Sequence, residues 1–221
     1  WQFFLGTVLT ASSLIAAQEP GFRLSEPWQS AYTGGDATGK HVIALWQFDA
    51  GAETNDASGH GHHLKLYGAK AGVPGRFGSG LESFPGWPVA DKRHAAVADQ
   101  HAALSPKGAF TVELWMQLKP DLNPELQPFL LDKKYVAHAD YQMVLSSAEK
   151  GGSRRLTVNL GFGDDSSAFN SESAHYEPGV WHHVAFTYDG AGEVRFYRDG
   201  AGLGPGGLDP SGSGLGGVQP R

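Results

Sequence analysis

The sequence contains no cysteine. That excludes disulfides, thiolate metal sites and cysteine nucleophiles together. It leaves the compartment open, because a chain of 221 residues can bury enough core to fold without covalent staples. Positive charge is also scarce. Lys and Arg number 17 against 23 Asp and Glu, a net charge of -6. Binding to a phosphate backbone needs clustered cations, so nucleic acid is not an expected partner. "DKK" and "SRR" are short and isolated. A membrane span is missing from the expectation too: the apolar run Phe3 to Ala17 falls short of the ~20 residues a bilayer requires. Between His41 and Asp199 no segment carries a convincing amphipathic-helix period. The chain also lacks G-x-S-x-G and H-E-x-x-H, which removes two common hydrolase signatures.

What is present is turn chemistry and aromatic strand residues. There are 31 glycines and 13 prolines, which suits a chain that reverses direction often. Apolar residues make up 40% and aromatics 11%, enough for a packed core. Residues 1–17 resemble the h-region and cleavage zone of a secretory signal whose start is missing. Residues 18–40 read as a linker, and 202–221, rich in Gly, Pro and Ser, as a tail or linker. The folded domain is expected over 41–201.

The clearest strand is "AFTVELWMQLKP". Phe110, Val112, Leu114, Met116 and Leu118 share one parity, and Thr111, Glu113, Trp115, Gln117 and Lys119 the other. Side chains alternate across a strand, so five apolar groups line one face. Further strands are expected in "HVIALWQFD", "HLKLYG", "GLESFPG", "HAAVAD", "FLLDKK", "YQMVLSS" and "RLTVNLGFG". The stretch "GVWHHVAFTYDGAGEVRFYRDG", residues 179–200, reads as a hairpin closed by Asp189 to Gly192. His182 shares parity with Val184 and Phe186, and His183 with Trp181 and Ala185. Adjacent strand residues face opposite ways, so the two rings cannot chelate one ion together.

This hairpin resembles the W-x-H-V-A-x-T-Y-D-G … Y-x-D-G hairpin of LamG-like, concanavalin A-type lectin/glucanase domains. "ALWQFDAGAETNDASGHGHHLKLYGA", "FGSGLESFPG" and "FTVELWMQLKP" resemble other segments of that family in the same order, so the resemblance covers residues 41 to 201. It implies an all-β fold: a two-sheet antiparallel jelly-roll β-sandwich. The family usually closes with one or two strands after the final Asp-Gly, and the glycine-rich tail offers no recognisable candidate. The segment "WPVAD", 87–91, matches no site of the family.

The fold hosts lectins, adhesion modules, hydrolases and spacers, so function has to come from the site. Glucanases of this fold carry paired carboxylates on one strand face. Here that face presents Glu113 without a strand-mate, so no catalytic residue is expected. Related jelly rolls often hold structural calcium. Asp49 and Asp56 are the candidate ligands, in a loop dense in oxygen donors. The competing reading is an Asx-type turn, with Asp56 and Ser58 bonding to nearby backbone. The histidines of "HGHH", 60–63, read as solvated loop residues. For a glycan site, where sugar rings stack on aromatics and polar groups fix hydroxyls, the loop candidates are Trp87, Tyr135 and Tyr176, with Asp164 and Asn170 as polar partners. Trp46, Trp115 and Trp181 read as core or as packed under a covering loop.

The expectation is a non-catalytic module of a secreted, periplasmic or cell-surface protein, binding an extracellular glycan or glycoprotein. It has no nucleic-acid partner and no membrane span, and further domains of the same chain are compatible with it. Two alternatives stay open: the accessory domain of a larger secreted hydrolase, and a purely structural protein-contact domain.

Overall fold

In the computed structural model the described residues are 41–83, 95–133 and 138–208. The chain divides into units Trp1–Thr33 and Gly34–Arg221, and every described residue lies in the second. The expected signal segment, Trp87 and Tyr135 fall outside the described residues.

Strand-forming residues and glycine turns alternate down the chain, and the result is almost purely β. The strands run β1 (Leu64–Tyr67), β2 (Lys70–Gly75), β3 (Gly78–Glu82), β4 (Ala95–Ala98), β5 (Phe110–Gln117), β6 (Phe129–Asp132), β7 (Tyr141–Leu145) and β8 (Ser153–Arg154). They continue as β9 (Leu156–Gly161), β10 (Ser166–Asn170), β11 (Ala174–His175), β12 (Trp181–Tyr188), β13 (Val194–Arg198), β14 (Ala201–Pro205) and β15 (Gly207–Leu208). The helical content among the described residues is one 3-10 turn, Ala102–Leu104. Of the sheets among the described residues, the two large ones have the orders β14-β13-β12-β5 and β15-β10-β9-β7-β6, and β1-β4, β8-β11 and β2-β3 form two-stranded ribbons. All strand pairs within them are antiparallel.

The parity of β5 decides how the layers meet. Met116 is buried, Phe110, Val112 and Leu114 are partly buried, and all pack into one cluster with Val184 and Phe186 of β12 and Val194 and Phe196 of β13. The same cluster takes in Met143 and Leu145 of β7, Leu156, Val158 and Leu160 of β9, and Phe169 of β10. Two sheets sharing one apolar interior make a β-sandwich, as the alternation predicts. The hairpin of β12 and β13 is closed by Asp189, whose Oδ1 accepts from the amides of Ala191 and Glu193 at 2.7 and 2.9 Å. A separate ribbon is formed by β2 and β3, and their connecting turn, Arg76 and Phe77, packs on Trp115 of β5. Phe77 meets Trp115 edge-on at 5.5 Å, and the guanidinium of Arg76 lies 5.1 Å from the Trp115 ring. Trp115 is therefore packed under a covering turn.

Two expectations need correction. Residues 41–49 do not form a ladder strand; Trp46 makes only an isolated bridge to Asp56. Phe48 adopts φ of 58°, a left-handed backbone that interrupts an extended run. The closing strands do exist. β14 pairs with β13, and β15 pairs with β10. Glycine carries no side-chain pattern, yet its backbone still enters a ladder. Pro205 sits on an edge strand, where its missing N–H is tolerated. Between them Gly206 donates to the Val194 carbonyl at 2.7 Å. A Cβ there would stand 2.9 Å from the Phe196 ring, so the close crossing from one sheet to the other requires glycine.

Candidate functional site

The outer face of the five-stranded sheet follows from the same alternation. Leu156, Val158 and Leu160 point into the core, so Thr157 and Asn159 point away from it. Register then groups residues from four strands into two rows. Asp132 lies opposite Gln142, Gln142 opposite Asn159, and Asn159 opposite Ala168. The second row is Phe129, Val144, Thr157 and Asn170.

The first row is a hydrogen-bonded ladder. Gln142 Nε2 donates to Asp132 Oδ1 at 3.0 Å, and Asn159 Nδ2 donates to Gln142 Oε1 at 3.0 Å. In the second row Thr157 Oγ1 donates to Asn170 Oδ1 at 2.7 Å. These contacts fix the amide orientations. A side-chain amide has two donor hydrogens and an oxygen with two lone pairs, so the ladder uses only part of its capacity. Phe129 is half-buried beside these groups and supplies an apolar surface. The face thus offers preorganised donors and acceptors next to an aromatic, which is what hydroxyl-rich ligands need.

Of the residues expected at a glycan site, Asn170 belongs to this face. Asp164 is exposed in the turn between β9 and β10. Tyr176 is not a loop platform: it is 1% exposed and packs into the core. Its ring meets His182 edge-on at 5.5 Å, and burial pushes its hydroxyl pKa upward. The two-residue β11 ends just before it and directs it inward. Asp132, Gln142 and Asn159 were not singled out by sequence reasoning. Polar residues at outward parity in "YQMVL" and "LTVNLG" were the available signal.

The calcium candidates do not converge. Asp49 is exposed, and its carbonyl accepts from Ala52 in a turn. Asp56 is 6% exposed. Its Oδ1 accepts from the amides of Leu45 and Ser58 at 2.9 and 3.0 Å, and its Oδ2 from the amide of His62 at 2.9 Å. Burial raises its pKa, but the Ser58 hydroxyl and these amides outweigh burial and hold it down at about 2. A calcium ion wants six to eight oxygens and no facing N–H groups. Among the described residues no three His, Asp or Glu side chains form a metal-holding group. This donor set fits an amide-capping turn and does not fit calcium. The loop histidines also differ from expectation, since His62 is buried and its ring lies 4.8 Å from that of His101.

On the other sheet the paired histidines separate to opposite faces. His182 Nδ1 meets Asp199 Oδ2 at 2.9 Å, and His183 Nε2 lies 3.5 Å from Glu113 Oε2. The His183 contact lowers the pKa of Glu113, whose side chain is 66% exposed. Glu113 is thus coupled to an imidazole on its own face, not to a second carboxylate.

A single layer of these strands would leave the apolar parity of both sheets exposed, and the two-layer sandwich buries it. The match to a family model agrees: residues 90–210 fit the laminin G type of the concanavalin A-like lectin/glucanases superfamily. The chain belongs to that superfamily. No individual curated protein and no solved structure matches it.

Proposed function

We propose that the domain is a non-catalytic binding module that recognises an extracellular glycan or glycoprotein through the outer face of the five-stranded sheet. The observation that carries this reading is the Asp132–Gln142–Asn159 ladder, whose polar groups are held at fixed orientation beside Phe129. Sugar hydroxyls would take the spare amide donors and oxygens, and the C–H face of a ring would lie on Phe129. A destination outside the cytoplasm, whether secreted, periplasmic or cell-surface, goes with this function. Among the described residues no helix is long and apolar enough to cross a membrane.

A neutral oligosaccharide array followed by calorimetry tests it. Replacing Gln142 and Asn159 with Ala removes two ligand hydrogen bonds worth about 1 kcal/mol each, so the affinity for the bound glycan should fall on the order of 30-fold. Binding unchanged in the double variant, or no glycan bound by the parent, refutes the assignment; in the second case the protein-contact alternative takes its place.

A further inference from the structure

One end of the sandwich carries a cleft that the polar rows do not use. Its volume is about 150 Å³, and Leu118, Leu122, Pro124 and Pro178 contribute apolar walls. Arg154 and Tyr176 line it as well. Both are nearly inaccessible, at 4% and 1% exposure. Three donors of the Arg154 guanidinium go to main-chain carbonyls: Nη1 to Leu126 and Ser146 at 2.8 and 2.6 Å, and Nη2 to Pro124 at 3.3 Å. All three acceptors are neutral, and a guanidinium has five N–H donors. No described carboxylate forms an ion pair with Arg154. The Tyr176 hydroxyl is buried and has no hydrogen-bond partner among the described residues.

Buried charges are normally paired, and buried hydroxyls are normally bonded. Here an uncompensated cation and an unbonded hydroxyl line one apolar-walled cleft. The other permanent cation at its lining, Lys119, already has a carboxylate partner, Glu82 at 2.7 Å. Arg154 is the lining cation with which no described carboxylate pairs.

We propose that this cleft is a second ligand site, taking a carboxylate carried on a small apolar-flanked body, with the charge toward Arg154 and the hydrocarbon against Leu118, Leu122 and Pro124. A bare inorganic anion would meet the charge but leave the walls wet. A neutral apolar molecule would fill the walls but leave the guanidinium unpaired. A volume near 150 Å³ equals the liquid share of about five waters, which suits a body of a few heavy atoms. The proposal is independent of the polar rows on the sheet face.

The test is an NMR titration of the full chain with an acid–neutral pair, isobutyrate against isobutyramide, with glucuronate and inorganic phosphate as further arms. Isobutyrate should shift the amide signals of 118–124, 148–154 and 175–178, at least tenfold more tightly than isobutyramide, glucuronate and phosphate. No response to isobutyrate, or tighter binding of glucuronate, overturns the proposal. Arg154→Met should abolish the response. Because that variant loses three carbonyl contacts and could fail to fold, Ala148→Phe provides a second route: it places a ring on the cleft lining, keeps Arg154, and should weaken acid binding at least tenfold. The Gln142→Ala/Asn159→Ala double variant should bind the acid as the parent does. Equal response to acid and neutral partner, shifts mapping elsewhere, or full affinity in Ala148→Phe overturns the proposal.

Discussion

Replacing Asp56 with Asn tests whether a single carboxylate organises the segment before β1. The carboxylate is 6% exposed and accepts three amide hydrogens, from Leu45, Ser58 and His62. Asn keeps the shape and one oxygen. Its NH2 must then face an amide hydrogen, donor against donor, and the charge assistance is lost. Hydrogen bonds to a charged acceptor are worth about 1.5–3 kcal/mol and neutral ones about 1. The substitution should therefore cost about 3 kcal/mol at pH 7. For a domain of this size that lowers Tm by roughly 6–12 °C. The sign with pH follows from the carboxylate's own pKa, which is about 2 in the folded chain against an ordinary 3.8. A depressed pKa stabilises above 3.8, and that gain is lost as pH falls through 2. The difference of nearly two units is worth roughly 2 kcal/mol. Thermal unfolding followed by circular dichroism at pH 7, 4 and 2 should thus show parent and variant far apart at pH 7 and converging by pH 2. A pH-independent gap, or no gap at pH 7, would refute the reasoning. Adding millimolar calcium should leave the parent's Tm unchanged; a rise that Asp56→Asn abolishes would contradict the amide-capping assignment.

Other substitutions test the rest of the architecture. At Gly161 a Cβ would meet the Ala139 nitrogen at 2.3 Å and the His138 carbonyl oxygen at 2.4 Å. Gly161→Ala should therefore destabilise by more than about 2 kcal/mol in chemical denaturation, since backbone has to shift. Ending the chain after Gly200 removes β14 and β15 and should cost on the order of 3 kcal/mol by the same assay, from lost ladder bonds and the packing of Leu203. A truncated chain as stable as the parent would mean the crossing strands are ornamental.

The sequence made the sandwich legible where side chains carry the period. In β5 from Phe110 to Met116, and in β12 from Val184 to Tyr188, every second residue is apolar and faces the core, so composition and structure state the same fact. At 41–49 the residues favour extension, but Phe48 takes a left-handed φ and the Asp56 turn captures Leu45. β14 and β15 escaped because their pairing belongs to the backbone, and glycine leaves no trace of it. The candidate site was half visible. Asn170 was a polar residue worth naming, but its company with Thr157, and the Asp132–Gln142–Asn159 row, depends on register between strands whose facing positions lie 10 to 17 residues apart, which no single segment encodes. Tyr176 failed for the opposite reason: it lies in a polar, turn-rich stretch, and only the tertiary fold turns it inward. Arg154 sits in a short basic cluster that looks solvated, yet three carbonyls from the 124–126 turn and Ser146 hold it inside.

The crossing at Gly206 also has a temporal side. β14 covers the outer edge of β13 and β15 covers the outer edge of β10. A ribosome delivers both covers after everything they protect. Until residue 208 clears the exit tunnel, β13 and β10 are themselves the open rims; afterwards that position passes to β14, with its Pro205, and to the two-residue β15. The interval between residues 170 and 208 is therefore when this protein is most exposed to mispairing, and chaperone demand should peak there.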